Sequence, residues 1–433
     1  MVEFIKNTSN NPLLRNYLKI FSIDVLVKAS GIILLPVYLK LMTQEEYGLY
    51  GYLLAIISAF SLVFNLGIYT AQSKLYHDYP ERRGDTIYTI NILLFVFISS
   101  LLLLTFLFDA DYAVIEFLFK SSFSYSSYRP FVLLAVIVSV YSLMLTNFFL
   151  TSEDLRKVQI YNLLRLLAVN AVVLLVLFIH ESGDNALERL KFTFIVEGLI
   201  IIIFMVFYVR QMSAKFDWML AGRAMRISLP ILLSAVLGIV INLSDRFAIE
   251  KFSTLKEMSI YNVALSVAGV IPFIFASFQN VWLPYFLKEK DVEANRARAK
   301  KMVWRLLVFF LALSAAILGA LKILLIFNII DQKYNEILAV LPIVLATTII
   351  ASMTQMYSNH LIYLDKLYLI IVAGIPISIL AVFLNFKLVP IFNIYGAAFA
   401  SLVVNASYLI FYSIMVTYYH RKATPAIERR PSA

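Results

Sequence analysis

Among the ionisable residues that stand inside or at the ends of long apolar runs in this 433-residue chain are Asp24, Lys28, Arg165, Glu197, Asp245 and Arg246. A charge in hydrocarbon is costly and needs water, a partner or a task, so each is a candidate for binding an ion or a charged cargo. Asp24 and Lys28 are four residues apart and share one helix face. Two readings fit them: an internal ion pair that eases passage of the helix, or a lysine that meets an anionic substrate in a water-filled cavity. Arg165 either snorkels to the near surface or offers its planar donor fork to phosphate oxygens. Glu197 has no cation at helical spacing on its own segment, which points to a protonated acid used in ion coupling or in a hydrogen bond to another helix. Asp245 and Arg246 suit interface anchoring or gating equally well. The cationic candidates for cargo binding are therefore Lys28, Arg165 and Arg246, and the coupling or gating candidates are Asp24, Glu197 and Asp245.

Amides are scattered through the same runs. Asn162, Asn170, Asn242, Asn262, Gln279 and Gln355 could line a polar lumen and hydrogen-bond sugar hydroxyls, or could join helices to one another. No phosphate loop, His-Glu-x-x-His or Gly-x-Ser-x-Gly pattern occurs, so neither nucleotide hydrolysis nor enzymatic catalysis is expected. With four histidines and no cysteine, no metal centre or cofactor is expected either. Asp109-Ala110-Asp111 has the spacing of a metal-chelating pair, but a lone pair of carboxylates at a helix end is expected to be a solvated cap.

The elements that must position these residues are membrane-spanning helices. The composition is 61% hydrophobic and 15% charged, against about 45–50% and about 25% in ordinary soluble domains. The apolar residues gather in runs of about 20, the length that crosses a hydrocarbon layer of about 30 Å. Twelve spans are expected: Ile20 to Leu39, Tyr47 to Ala71, Thr86 to Phe108, Pro130 to Leu150, Val158 to Ile179 and Leu190 to Tyr208, then Ile227 to Ile249, Met258 to Leu287, Val303 to Ile329, Ile337 to Tyr357, Leu367 to Leu388 and Ile394 to Tyr418. A shift of 211 positions lays Lys40 on Lys251, Thr43 on Thr254, Glu46 on Glu257, Tyr50 on Tyr261 and Leu54 on Leu265. The chain therefore reads as two related halves, an arrangement that many transporters use. The expected divisions are a first bundle over 1–212, a linker over 213–225, a second bundle over 226–420 and a basic tail over 421–433.

The net charge of +10 raises the question of nucleic acid. Placing the N-terminus in the cytoplasm puts 24 lysines and arginines on that side, 10 on the other and 3 within spans. Positive residues are retained on the cytoplasmic side, so the charge is topological, both termini are expected there, and no nucleic acid is implied. The basic connection from Lys288 to Arg305 is expected to lie on anionic membrane lipid.

Leu35-Pro36 followed by Tyr47-Gly48-Leu49-Tyr50, and Ser244-Asp245-Arg246-Phe247 followed by Ile260-Tyr261, resemble the polysaccharide transport family of the multidrug/oligosaccharidyl-lipid/polysaccharide flippase superfamily. The resemblance implies an all-α membrane protein with twelve transmembrane helices in two six-helix bundles around a central cavity that opens alternately to each side. It implies carriage of an undecaprenyl-pyrophosphate-linked oligosaccharide across the cytoplasmic (inner) membrane for O-antigen, capsule or exopolysaccharide assembly. A polysaccharide polymerase and a chain-length regulator are the protein partners it implies. Within the same fold, a proton- or sodium-coupled multidrug antiporter is the alternative, and it would favour Asp24, Glu197 and Asp245 over the cations.

Overall fold

The computed structural model describes residues 30–120, 123–179, 183–288, 291–364, 366 and 368–427. They are helical almost throughout, and no strand occurs among them. Asp24, Lys28 and the first half of the first expected span lie outside the described residues.

The chain divides into two compact units, Met1–Ile239 and Val240–Ala433. In the first, α1 (Ser30–Leu41) is followed by α2 (Gln44–Phe64) and α3 (Ile68–Asp78). A single 3-10 turn, Pro80–Arg82, then leads into α4 (Arg83–Phe108). Short α5 (Ala110–Leu118) precedes α6 (Tyr125–Thr151) and α7 (Leu155–Leu164). A π turn, Arg165–Val169, continues α7 into α8 (Asn170–Ile179), and α9 (Asn185–Val209) follows. Next comes α10 (Trp218–Phe252), within which the boundary between the units falls. The second unit then adds α11 (Leu255–Ala268), α12 (Val270–Lys288), α13 (Val292–Ile326), α14 (Ile337–Tyr363) and α15 (Tyr368–Ile427).

Ten of these segments are long and apolar enough to cross a membrane. The last of the ten covers two expected spans. Helical geometry in α15 fails at Asn393 (φ 50°, ψ −131°), and the chain folds back on itself there. The hydroxyls of Tyr368 and Tyr419 consequently meet at 2.9 Å across 51 residues. Eleven crossings therefore lie among the described residues, and α1 belongs to the remaining expected one. The protein is a multi-pass membrane protein.

Helix starts follow from short polar residues placed to accept orphan backbone N–H groups. Thr43 opens α2 with a capping box: Glu46 N donates to its hydroxyl at 3.2 Å, while Thr43 N donates to the Glu46 carboxylate at 2.7 Å. Thr254 opens α11 in the same way, accepting from Glu257 N at 3.3 Å. The repeated Thr-x-x-Glu is thus one cap used twice. Aspartates cap α7, α9, α10 and α13: Asp154, Asp184, Asp217 and Asp291.

Two expected elements differ. The span read from Tyr47 to Ala71 is broken, because Leu66 (φ 55°) and Gly67 (φ 69°) are left-handed. A Cβ on Gly67 would lie 3.0 Å from Ile231 Cγ2 and 3.1 Å from Ser228 O, so close packing on α10 also requires glycine. The connection from Lys288 to Arg305 is largely helix: α13 begins at Val292, and its 35 residues reach roughly 52 Å at about 1.5 Å each. Periodicity alone misses this start because the first turns are basic rather than apolar. They dock on α12 by one face, with Ala299 buried and Asn295 Nδ2 donating to Phe286 O at 3.0 Å.

Each unit has its own apolar core. In the first, Ile68, Ala71 and Leu75 of α3 meet Ile90, Leu94 and Ile98 of α4, Val140 and Met144 of α6, and Ala224 of α10. In the second, Leu361 of α14 packs with Ala373, Ile377 and Ala381 from one arm of α15 and Val404, Tyr412 and Val416 from the other.

Candidate functional site

Two polar clusters sit among the spans, one in each unit. The first is centred on Glu197, which lies 12 residues from either end of α9 and is 1% exposed. Its carboxylate forms an ion pair with Arg165, Nε standing 3.0 Å away, and accepts from the Tyr161 hydroxyl at 3.3 Å. Tyr161 in turn shares a 2.6 Å hydrogen bond with Ser142 of α6. The expectation of an isolated Glu197 is therefore corrected: its cation comes from a different helix, which spacing along α9 cannot reveal. Arg165 turns to this carboxylate rather than snorkelling away.

The π turn is what aims it. One extra residue in the turn rotates the side chains that follow, and such bulges are frequent at functional sites. Asn170 supports the widened turn by donating from Nδ2 to Leu166 O at 2.7 Å, while its Oδ1 accepts from the Tyr38 hydroxyl at 2.8 Å. Its Oδ1 thus joins α8 to α1 through Tyr38. Asn162, half-buried, lies one turn ahead of Arg165. The Arg165 side chain keeps 49% of its surface open, and only Nε carries a partner among the described residues.

The second cluster lines a cavity of about 180 Å³ inside the second unit. That is room for several waters, each taking about 30 Å³ in the liquid. Asn242 and Asp245 enter it from α10, Tyr261 from α11, Thr347 and Thr348 from α14, and Asn385, Ser401 and Asn405 from the two arms of α15. Asp245 is the one carboxylate among the lining residues. Its Oδ2 accepts from the Tyr261 hydroxyl at 2.7 Å and its Oδ1 from Arg246 N at 2.6 Å. Asn385 donates to Ser244 Oγ at 3.0 Å, but its own Oδ1 is buried without a hydrogen-bond partner among the described residues. A carboxylate, amide and hydroxyl oxygens facing a small cavity form a donor set suited to a hard cation or a proton.

Arg246 is held at the edge of this cluster. Its Nε donates to Asn262 Oδ1 at 3.2 Å, its Nη1 donates to Asn242 O at 2.9 Å, and Asp245 stands 3.9 Å away. Asn262 is thereby a positioning residue for the arginine. Gln279 accepts from Asn359 at 2.9 Å and is a buried link between α12 and α14, whereas Gln355 is exposed. The structure brings Asn242, Asp245, Arg246 and Asn262 together and leaves Gln279 and Gln355 apart from them. Sequence reasoning missed Thr347, Thr348, Ser401 and Asn405. Ser401 and Asn405 are four residues apart, a same-face spacing that was legible.

Asp109 and Asp111 are also resolved into a role. Arg129 donates to Asp109 at 2.8 Å and to both oxygens of Asp111 at 2.7 and 3.0 Å. Both carboxylates are spent on one guanidinium. Among the described residues, no group of three or more metal-ligating side chains occurs.

The model of a family described as "Polysaccharide biosynthesis protein" matches residues 13–290. The chain belongs to that family. Among solved structures, it is similar to an inward-facing multidrug resistance MATE family transporter of the MOP superfamily, with a TM-score of 0.67 at 13% identity over 92% of this chain and 99% of the other. It is similar to the lipid II flippase MurJ in an inward closed conformation, with a TM-score of 0.69 at 12% identity over 90% of this chain and 87% of the other. A MOP superfamily transporter from Pyrococcus furiosus, whose binding pocket has reversed polarity, gives 0.56 at 13% identity over 93% and 95%. No match is found among proteins of curated function. The fold is thus the all-helical one of MOP superfamily transporters and flippases, as expected from the residues around Pro36 and Asp245.

Proposed function

We propose that the protein is a flippase that carries an undecaprenyl-pyrophosphate-linked oligosaccharide from the cytoplasmic to the outer leaflet of the inner membrane, with both termini cytoplasmic. The product would feed O-antigen, capsule or exopolysaccharide assembly, where a polymerase and a chain-length regulator are the natural partners. The family supports the glycan, and the likeness to a lipid II flippase supports a lipid-linked form of it. The observation that carries the reading is Arg165: a guanidinium midway along a membrane-crossing segment, with half its surface open and two nitrogens without partners among the described residues. A doubly charged pyrophosphate is the ligand such a donor fork fits. Arg246 supports the same cargo from the second unit, and Lys28 remains a candidate on sequence grounds.

The Asp245 cavity favours a second element, coupling to a sodium ion or a proton, and it is what an antiporter of the same fold would use instead. The two readings part in one experiment. In a strain lacking the protein, lipid-linked repeat units should accumulate on the cytoplasmic leaflet and surface polymer should disappear. Wild type should restore the polymer, and well-expressed Arg165→Ala should not. Normal polymer without accumulation would refute the flippase and leave cation-coupled export of small molecules.

A further inference from the structure

A buried glutamate and a half-exposed arginine make an unequal pair, and the inequality has a chemical consequence. Arg165 can exchange partners where it stands. It presents two nitrogens unengaged among the described residues on a surface that is half open, and it belongs to a π turn rather than a regular helical one. Glu197 cannot follow it. It is 1% exposed, with Phe194, Ile200, Ile201 and Phe204 of its own helix buried around it, and the next residue, Gly198, already sits against Val138.

The ionisable groups that face Glu197 are Arg165 from the π turn and Tyr161 from α7. The element α6 contributes the Ser142 hydroxyl, and α2 and α8 present no ionisable side chain in contact with it among the described residues. When a pyrophosphate takes the guanidinium, Glu197 keeps only the neutral Tyr161 hydroxyl at 3.3 Å, which is itself shared with Ser142. A carboxylate buried without its cation, and now close to further negative charge, is neutralised rather than tolerated.

We infer that Glu197 is the resting counter-ion of Arg165, displaced by a pyrophosphate headgroup, so that each headgroup bound places one proton on the Glu197 carboxyl. This rests on the cargo class given above. The proton is given up by buffer acid in the bulk solvent, which becomes its conjugate base, the guanidinium keeps its charge, and no bond other than the O–H on Glu197 is made. Anion binding and proton uptake are then a single linked event, and by linkage each strengthens the other. Release of the headgroup restores the ion pair and expels the proton, which makes Glu197 a carboxylate that resets the site.

The test uses the full-length protein in lipid nanodiscs with geranyl pyrophosphate as probe and geraniol as the uncharged control. Calorimetry in two buffers of different ionisation enthalpy counts protons, and titrations between about pH 6 and about pH 8 follow the affinity. Wild type should take up about one proton per ligand, with affinity falling up to about tenfold per pH unit on going alkaline. Glu197→Gln should still bind, with only the pH dependence of the ligand's own titration, while Tyr161→Phe should keep the wild-type proton uptake. Arg165→Ala should lose binding. Binding by wild type without proton uptake, or equal uptake in Glu197→Gln, would overturn the inference and leave the flippase reading standing. No binding of the pyrophosphate to wild type at any pH would overturn both.

Discussion

Replacing Gly396 by alanine should damage the second unit more than the same change at Gly269 or Gly319. Gly396 lies three residues past the bend at Asn393, where the arms of α15 separate. A Cβ there would stand 2.4 Å from Leu388 O, 2.6 Å from Leu388 C and 2.9 Å from Val389 N. All three are backbone atoms, so no side chain can swing aside, and relief means prising the arms apart by roughly 1 Å to restore ordinary contact distances. Overpacking of this kind costs about 1–3 kcal/mol or more, partly offset by the roughly 1 kcal/mol that alanine gains over glycine in a helix. A net loss of about 2 kcal/mol over a unit of 194 residues (240–433) corresponds to a fall of roughly 4–8 °C in Tm. Gly198→Ala is the matched control, because its Cβ would meet only the Val138 Cγ2 methyl at 3.3 Å. The arms carry Asn385, Ser401 and Asn405, so the same change should weaken any ion dependence that the Asp245 cavity confers. Thermal unfolding of both variants in detergent, followed by scattering, reads the difference. Equal Tm values for Gly396→Ala and Gly198→Ala would refute the close approach of the arms.

Thr254→Ala removes the cap from α11 and should cost about 1 kcal/mol, and Thr43→Ala should cost somewhat more because the α2 cap is reciprocal; thermal melts of the two variants test the order. The Asp217 carboxyl is held below the usual carboxylate range chiefly by its hydrogen bond from Arg82, which outweighs the opposing effect of burial, with the backbone N–H groups of Met219 and Leu220 adding to it. A depressed folded-state value means that the unfolded chain binds the proton more tightly. The stabilisation is therefore complete above the ordinary carboxylate range near about pH 4 and is lost as pH falls through the lower folded value. Wild type should lose Tm relative to Asp217→Asn on acidification in that window and not between about pH 6 and about pH 8; parallel curves would show that the Arg82 contact contributes nothing.

How far the sequence reaches can be judged from Glu197 and Asp245. Both are acids in apolar runs, and composition was enough to mark both, because the hydrocarbon layer makes any such residue conspicuous. Neither partner was equally legible. Tyr261 lies 16 residues beyond Asp245, close enough that one helical turnaround returns it to the same level, and the Thr254 cap that fixes this turnaround is visible in the repeat. Arg165 lies 32 residues before Glu197 and reaches it through a π turn that has no signature in residue type. The same contrast explains the helices. Apolar runs located eleven crossings, yet they ran straight over Leu66-Gly67, since two left-handed residues leave hydrophobicity unchanged, and they began α13 too late, since a docked basic turn has none. Periodicity reports which residues prefer lipid or core; it is silent on backbone departures that only a tertiary neighbour requires. Those departures are where the chemistry gathers here. The π turn aims Arg165 at its carboxylate, the bend at Asn393 brings Asn385 and Ser401 to one cavity, and both sites depend on geometry that the apolar pattern permits but does not encode.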